Sequence, residues 1–406
     1  MTNFDVRSFL TDLDKGGADA LEAREIVVDR TGLPRQAGAE SPEGEFIKQF
    51  RERAERSLYA FVVGVLGRGY LTKQLHLPLC DWLTKIPPRR KLGLLPREHG
   101  KTSVVAHALP PHMMIQSKAT NIYYPNLDGC DMRIILAGET ETRVKDATRV
   151  VESTFESNQI FRALWPHRCW AGNARQLSKK WNDTEMIIPR NEEFPDPTLR
   201  AVGVGGAITG AHPTTLIKDD LVTLEAANSP LVMYAAIEWH RASRALINDD
   251  NATEFIIGTR WAVGDLYDEI IKKDPTVDVM VRAVVENGLP IYPREDLPDE
   301  YKSKGFDAAK IAQKQKEFGV LFPLLFMNSA EDPELTDFDM SMIRVYTVDG
   351  DMLVYKEDDR DVVLAEQVSR PGTVTVTDSP LRGVPLTPDL HDAVFARGEY
   401  LRARAT

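Results

Sequence analysis

Cysteine is scarce in this chain. Its 406 residues hold three, Cys80, Cys130 and Cys169, too few for a disulfide framework and too widely spaced for a zinc knuckle, which suits a reducing compartment. Long apolar runs are missing too. The longest, around Tyr59 to Leu66, falls far short of the ~20 residues a membrane-spanning helix needs. The start, Met1-Thr2-Asn3-Phe4-Asp5, carries an acid and lacks the basic-then-apolar order of an export leader. Neither a repeat nor a low-complexity tract is visible, and no nucleophile triad, paired-glutamate set or metal-histidine cluster stands out. Positive charge is in deficit, with a net charge of −11. That argues against a protein coating nucleic acid over its whole surface. A local basic channel survives the argument, because screening limits surface charge to a reach of about 8–10 Å. Its candidates are Arg51, Arg53 and Arg56, then Arg89-Arg90-Lys91, then Arg241 with Arg244; the alternative for each is a solvated face.

What is present alternates. Residues 1–45 are polar, with Gly16-Gly17, Pro34 and a Glu40-to-Gly44 turn cluster, and read as a short helical arm plus linker. Residues 46–86 read as a helical lead-in, ended by Pro87-Pro88. Strands are then predicted at Leu92–Leu95, Arg133–Gly138 (read as buried), Met186–Pro189 and Leu199–Gly203 (a shorter pair), Thr214–Lys218, Thr253–Thr259 and, alternating, through Val277, Val279, Val281 and Ala283. Helices fall between them, one from about Glu141 to Ser157 and one including Val232, Ile237 and Leu246. This rhythm predicts an α/β fold with a mainly parallel central sheet flanked by helices. After about residue 290 it lapses into a helix, Asp307–Phe318, and short strands, the clearest at Val362–Leu364 and Thr373–Thr377. The domains expected are thus 1–45, 46–345 and a small C-terminal extension, 346–406.

Leu94 to Ser103 carries the clearest chemistry. Gly100-Lys101-Thr102 follows an apolar strand and opens a helix, the arrangement that cradles nucleotide phosphates. Gly100 lets backbone approach phosphate oxygens, Lys101 supplies a mobile cation for the β/γ-phosphates, and the Thr102 hydroxyl suits Mg²⁺. The strict pattern fails, because its first glycine would fall at Leu95. Arg97 is a second cation in the loop, available either to the γ-phosphate or to a salt bridge with Glu98; His99 reads as a spacer. The ATP-contacting stretch is expected to be Pro96, Arg97, Glu98, His99, Gly100, Lys101, Thr102 and Ser103. Gln74 is the candidate to read an adenine edge, although packing and helix polarity suit it and His76 as well.

A phosphate loop needs a carboxylate at the end of a neighbouring strand, and Leu216-Ile217-Lys218-Asp219-Asp220 supplies one. Asp219 is expected at the metal, and Asp220 as the catalytic carboxylate that orients or activates water, with Glu225 as the alternative. Gly258-Thr259-Arg260 should end another strand at the same edge, where Thr259 and Arg260 could sense the γ-phosphate; the alternative there is a plain polar turn with Trp261 in the core. The glycine-rich run Gly203 to Gly210, before His212, reads as a flexible loop beside the site.

In this order the pieces resemble the large terminase subunit of tailed bacteriophages, over about residues 45–345. The loop Pro96 to Thr102 is similar to that family's divergent Walker A, and Gly205 to Val222 to its Walker B region. Ile257 to Trp261 with Asp265-Leu266-Tyr267 is similar to the coupling motif, and Phe318 to Phe338 to the stretch that closes the ATPase domain. The resemblance implies a RecA-like P-loop ATPase of the additional-strand (ASCE) class, with ATP and Mg²⁺, and Arg97 as a cis arginine finger. It also implies a motor moving double-stranded viral DNA into a procapsid in the bacterial cytoplasm. Its partners would be the portal protein and a small terminase subunit, and its active state a homo-oligomeric ring, often a pentamer, with a monomer as the alternative state in solution. Family members usually add a nuclease; Thr373–Thr377 with Asp378 could open such a sheet, but too little chain follows, so no nuclease activity is expected. Two other readings stay open: a helicase-like or remodelling ATPase, and a non-catalytic DNA- or portal-binding module with a degenerate nucleotide site.

Overall fold

The computed structural model describes residues 42–247 and 249–329, and the backbone of four strands between 346 and 376. The chain divides into two compact units, 1–330 and 331–406, a boundary that falls before the expected 345/346.

In the first unit the helices Pro42–Arg56 and Lys73–Thr84 lead into a sheet of eight strands. These are β1 (Arg90–Leu94), β2 (Ile134–Gly138), β3 (Trp181–Asn182), β4 (Glu185–Met186), β5 (Leu199–Gly203), β6 (Thr215–Asp219), β7 (Thr253–Gly258) and β8 (Asp278–Val281). They lie in the order β3-β4-β5-β2-β6-β7-β1-β8. The pairings among β5, β2, β6, β7, β1 and β8 are all parallel; only the short β3 and β4 run antiparallel, at one edge. Both faces are covered, which is why the central strands read as unbroken apolar runs. Leu136, Ile217, Phe255 and Ile257 pack into one core, and Leu92, Ile135, Leu216 and Ile256 into the other. At the open edge the alternation through Val277 to Ala283 runs contrary to expectation. Val279 and Val281 are exposed, so this face of the edge strand β8 is not the covered one.

Parallel strands bring their carboxyl ends to one edge, so the turns after β1, β2, β6 and β7 meet there. One strand, β7, separates the loop-bearing β1 from the acidic β6.

Two of the expected basic patches are structural. Arg90 pairs with Glu254 and Asp274, and buried Lys91 with Asp278. Arg241 pairs with Glu238 and Glu269, and Arg244 with Asp274. These cations are held by acids of the same unit and do not form a basic channel. Among the described residues, no helix is long and apolar enough to cross a membrane.

The second unit holds an antiparallel meander, Tyr346–Asp349, Met352–Glu357, Arg360–Gln367 and Val374–Val376. Val374–Val376 therefore closes a meander on the preceding strand instead of opening a new sheet; Asp378 lies outside the described residues.

Candidate phosphate-binding site

The loop after β1 explains its own missing glycine. Leu95 is still part of the sheet: its N–H donates to the Gly258 carbonyl (3.1 Å) and its side chain is fully buried. The backbone turns left-handed later, at Glu98 (φ 64°) and Gly100 (φ 73°). Only the second of these needs glycine on both counts, since a Cβ on Gly100 would meet His76 at 2.9 Å and Leu71 at 3.0 Å.

Two histidines brace the loop from beneath. The Thr72 N–H donates to His76 Nδ1 (2.9 Å), which leaves the proton on Nε2 to bond the His99 carbonyl (3.0 Å). His99, fully buried against Phe306, donates from Nδ1 to the Arg97 carbonyl (2.6 Å). Burial lowers His76 to about 4 and His99 to about 3. His99 is thus a strut, not the spacer expected. Glu98 faces outward to Lys314 (2.8 Å), leaving the Arg97 guanidinium stacked over Trp261, 4.9 Å from the ring centre. The Ser103 hydroxyl accepts from Tyr70 (2.9 Å), and Pro96 is buried.

Lys101 opens the helix Lys101–Val105 with Gly100 as its cap. Its ammonium donates to the Thr259 hydroxyl (2.6 Å) and pairs with Asp220 (3.1 Å). Thr259 in turn donates to the Leu95 carbonyl (2.9 Å). Thr102 bonds Asp219. One oxygen of each acid, Asp219 Oδ1 and Asp220 Oδ1, is buried without a partner, and buried polar atoms are seldom left so. Burial, then repulsion from Asp220, pushes the Asp219 carboxyl up to about 7 against the pull of Lys101 and Thr102. Hard oxygen donors with open lone pairs beside a hydroxyl fit a magnesium-like divalent cation. Asp220 holds its place at φ 49°, its N–H bonded to the Ile257 carbonyl (2.9 Å).

Thus the structure brings together Lys101, Thr102, Asp219, Asp220 and Thr259. It does not bring Arg260. That guanidinium is buried and locked to Asp265 (3.0 Å) and Asp268 (3.4 Å), so it braces the turn and cannot sense phosphate as expected. Gly258 serves packing: a Cβ there would come within 2.2 Å of the Tyr267 ring. Gln74 is exposed and makes no hydrogen bond to the loop among the described residues; His76, on the same helix, is the one that reaches it. Glu225 is exposed in the first turn of the helix Leu224–Asn228, and His212 is exposed, its N–H bonded to Asp196.

One acid was missed. Glu139 follows β2 directly, and Gly138 pairs in register with Asp219. It accepts from Thr223 and lies 3.8 Å from Arg143. Burial raises its carboxyl; Arg143 pulls it down, while Glu225 and Asp220 raise it further. The signal was available: an acid after a buried strand, the same rule that singled out Asp219.

No protein-family model matches the chain, and no curated protein is similar to it in sequence. Among solved structures it is similar to the large terminase from a thermophilic bacteriophage in complex with ADP, at 12% identity over 72% of this chain and 68% of that one, with a TM-score of 0.37. It is also similar to the HK97 bacteriophage large terminase, at 14% identity over 80% and 67%, with a TM-score of 0.40. The fold is the RecA-like P-loop type with an additional strand, as the position of β7 between β1 and β6 states directly.

Proposed function

We propose that this chain is an ATP-hydrolysing motor that drives double-stranded viral DNA into a procapsid. The observation that carries the ATPase half is Lys101 held between Thr259 and Asp220, beside a Thr102–Asp219 pair with orphaned carboxylate oxygens. Asp220 pairs with the lysine and neutralises it. A β/γ-phosphate entering the loop competes for Lys101 and releases Asp220, whose free carboxylate then accepts a proton from the attacking water. Thr102 and Asp219 would hold Mg²⁺, which neutralises phosphate charge when bound. Because Thr259 is tied to both Lys101 and Leu95, loss of the lysine contact is felt at the turn after β7. From there Arg260 and Asp265 connect to the helix Leu266–Lys273.

The DNA half rests on the ordered motifs. Duplex DNA, the portal of a procapsid and a small terminase subunit are the proposed partners. A ring, often pentameric, is the proposed active form, working in the bacterial cytoplasm. The test is ATP turnover with and without duplex DNA over a range of protein concentration. Turnover that rises with both supports a ring motor on DNA; turnover indifferent to duplex removes the motor reading. A strand-separation assay distinguishes it from a helicase, since a packaging motor moves duplex without unwinding it.

A further inference from the structure

Arg97 is held in an unusual way for a surface-loop arginine. Its backbone is pinned on both sides: the N–H donates to the Leu325 carbonyl (3.1 Å), and the carbonyl accepts from His99 (2.6 Å). Its side chain forms no ion pair with any described residue; the guanidinium lies on the face of Trp261 instead. Trp261 is itself fixed. Its N–H donates to Asp265 Oδ2 (3.3 Å), the oxygen that also takes Arg260, and its half-buried ring packs against both cores. Two residues earlier, Thr259 holds Lys101. One short turn therefore touches both cations of the phosphate loop.

The choice of an aromatic partner has a chemical consequence. A carboxylate would occupy the guanidinium N–H groups and cancel its charge. An indole face attracts the cation through the ring quadrupole and leaves the in-plane donors open. We propose that Trp261 is a positioning residue for phosphoryl transfer, holding Arg97 oriented yet undischarged so that its donors are available to the γ-phosphate. This role rests on the ATPase reading above.

The test compares kcat and KM for ATP in Trp261→Leu, Trp261→Phe, Arg97→Ala and the double variant Arg97→Ala/Trp261→Leu, with thermal melting of each. Leucine keeps apolar bulk without a ring; phenylalanine keeps a ring. Trp261→Leu should lower kcat about tenfold with KM within about twofold, and Trp261→Phe should recover most of the loss. The double variant should be no slower than Arg97→Ala alone, because both changes remove one interaction. Additive losses, or a phenylalanine variant as slow as the leucine one, would overturn the role of Trp261 while leaving the ATPase reading intact. Absence of wild-type turnover would overturn that reading, and this role with it.

Discussion

Strands β6 and β7 carry two groups of buried charge, and the two are built on opposite principles. Within the sheet, Lys218 and Glu254 are both fully buried and paired with each other; Glu254 also meets Arg90, and Arg90 meets Asp274. His240 bonds Lys218 on one side, and Arg244 pairs with Asp274 on the other. Every ion there has an opposite neighbour. One residue beyond Lys218, at the strand ends, Asp219 and Asp220 sit side by side, each with a buried oxygen lacking a partner. The same backbone thus holds a closed network and an open one. A closed network fixes the fold; an open one is complete only when something binds.

That contrast can be broken from either side. The largest effect is expected at the open end. Asp220→Asn should still bind a non-hydrolysable ATP analogue but lose about 10²–10⁴-fold in turnover, read by steady-state phosphate release. Wild-type turnover would move the role to Glu225 or Glu139. At the closed end the outcome should invert. Glu254→Gln leaves Lys218 buried without its counter-ion and should cost about 3–5 kcal/mol of stability, seen in the urea midpoint, with kcat per folded molecule little changed.

Acid should act on the struts beneath the loop, on His240 of the closed network, and on two further buried histidines, His107 beside Arg68 and His112 on Tyr123. His76 and His107 are lowered to about 4, and His99, His112 and His240 to about 3, in each case first by burial. The unfolded chain takes up these protons near pH 6.5, whereas the folded chain refuses them until about pH 3–4. Protons therefore favour unfolding through that window. Stability should fall as pH drops from about 6.5 towards 4, and these groups should contribute no slope above about pH 7. Urea midpoints at about pH 8, 6 and 5 check it. A flat profile would show that the histidines are not buried as neutral struts. The smallest effect is expected at Glu139→Gln. Turnover should fall only several-fold, with its pH profile shifted, since Glu139 adjoins Asp220 without touching Lys101.

Much of the site was legible in sequence because chemistry collects where strands end. Gly-Lys-Thr after one apolar run and Asp-Asp after another mark two strand ends, and only the folded chain shows that they share an edge. The gap at Leu95 looked like a defect because a motif records residue types, while the backbone needs a left-handed turn, and here that need falls at Glu98 and Gly100. Glu139 ends a buried strand as Asp219 does, and the pairing of Gly138 with Asp219 adds that the two strand ends lie side by side. Arg260 misled for a local reason. Asp265 caps the next helix and captures the guanidinium, a contact that spacing alone does not distinguish from an arginine left free. Arg90 and Lys91 looked like a surface patch because their partners, Glu254, Asp274 and Asp278, lie far along the chain.

Lys101 stands at the open end as the cation that meets phosphate. That role is tested most directly by ATP turnover of Lys101→Ala beside the wild type, with the melting temperature of each. The expected result is a loss of at least about 10²-fold in a protein that still melts cooperatively close to the wild-type temperature. Undiminished hydrolysis in the alanine variant would contradict it.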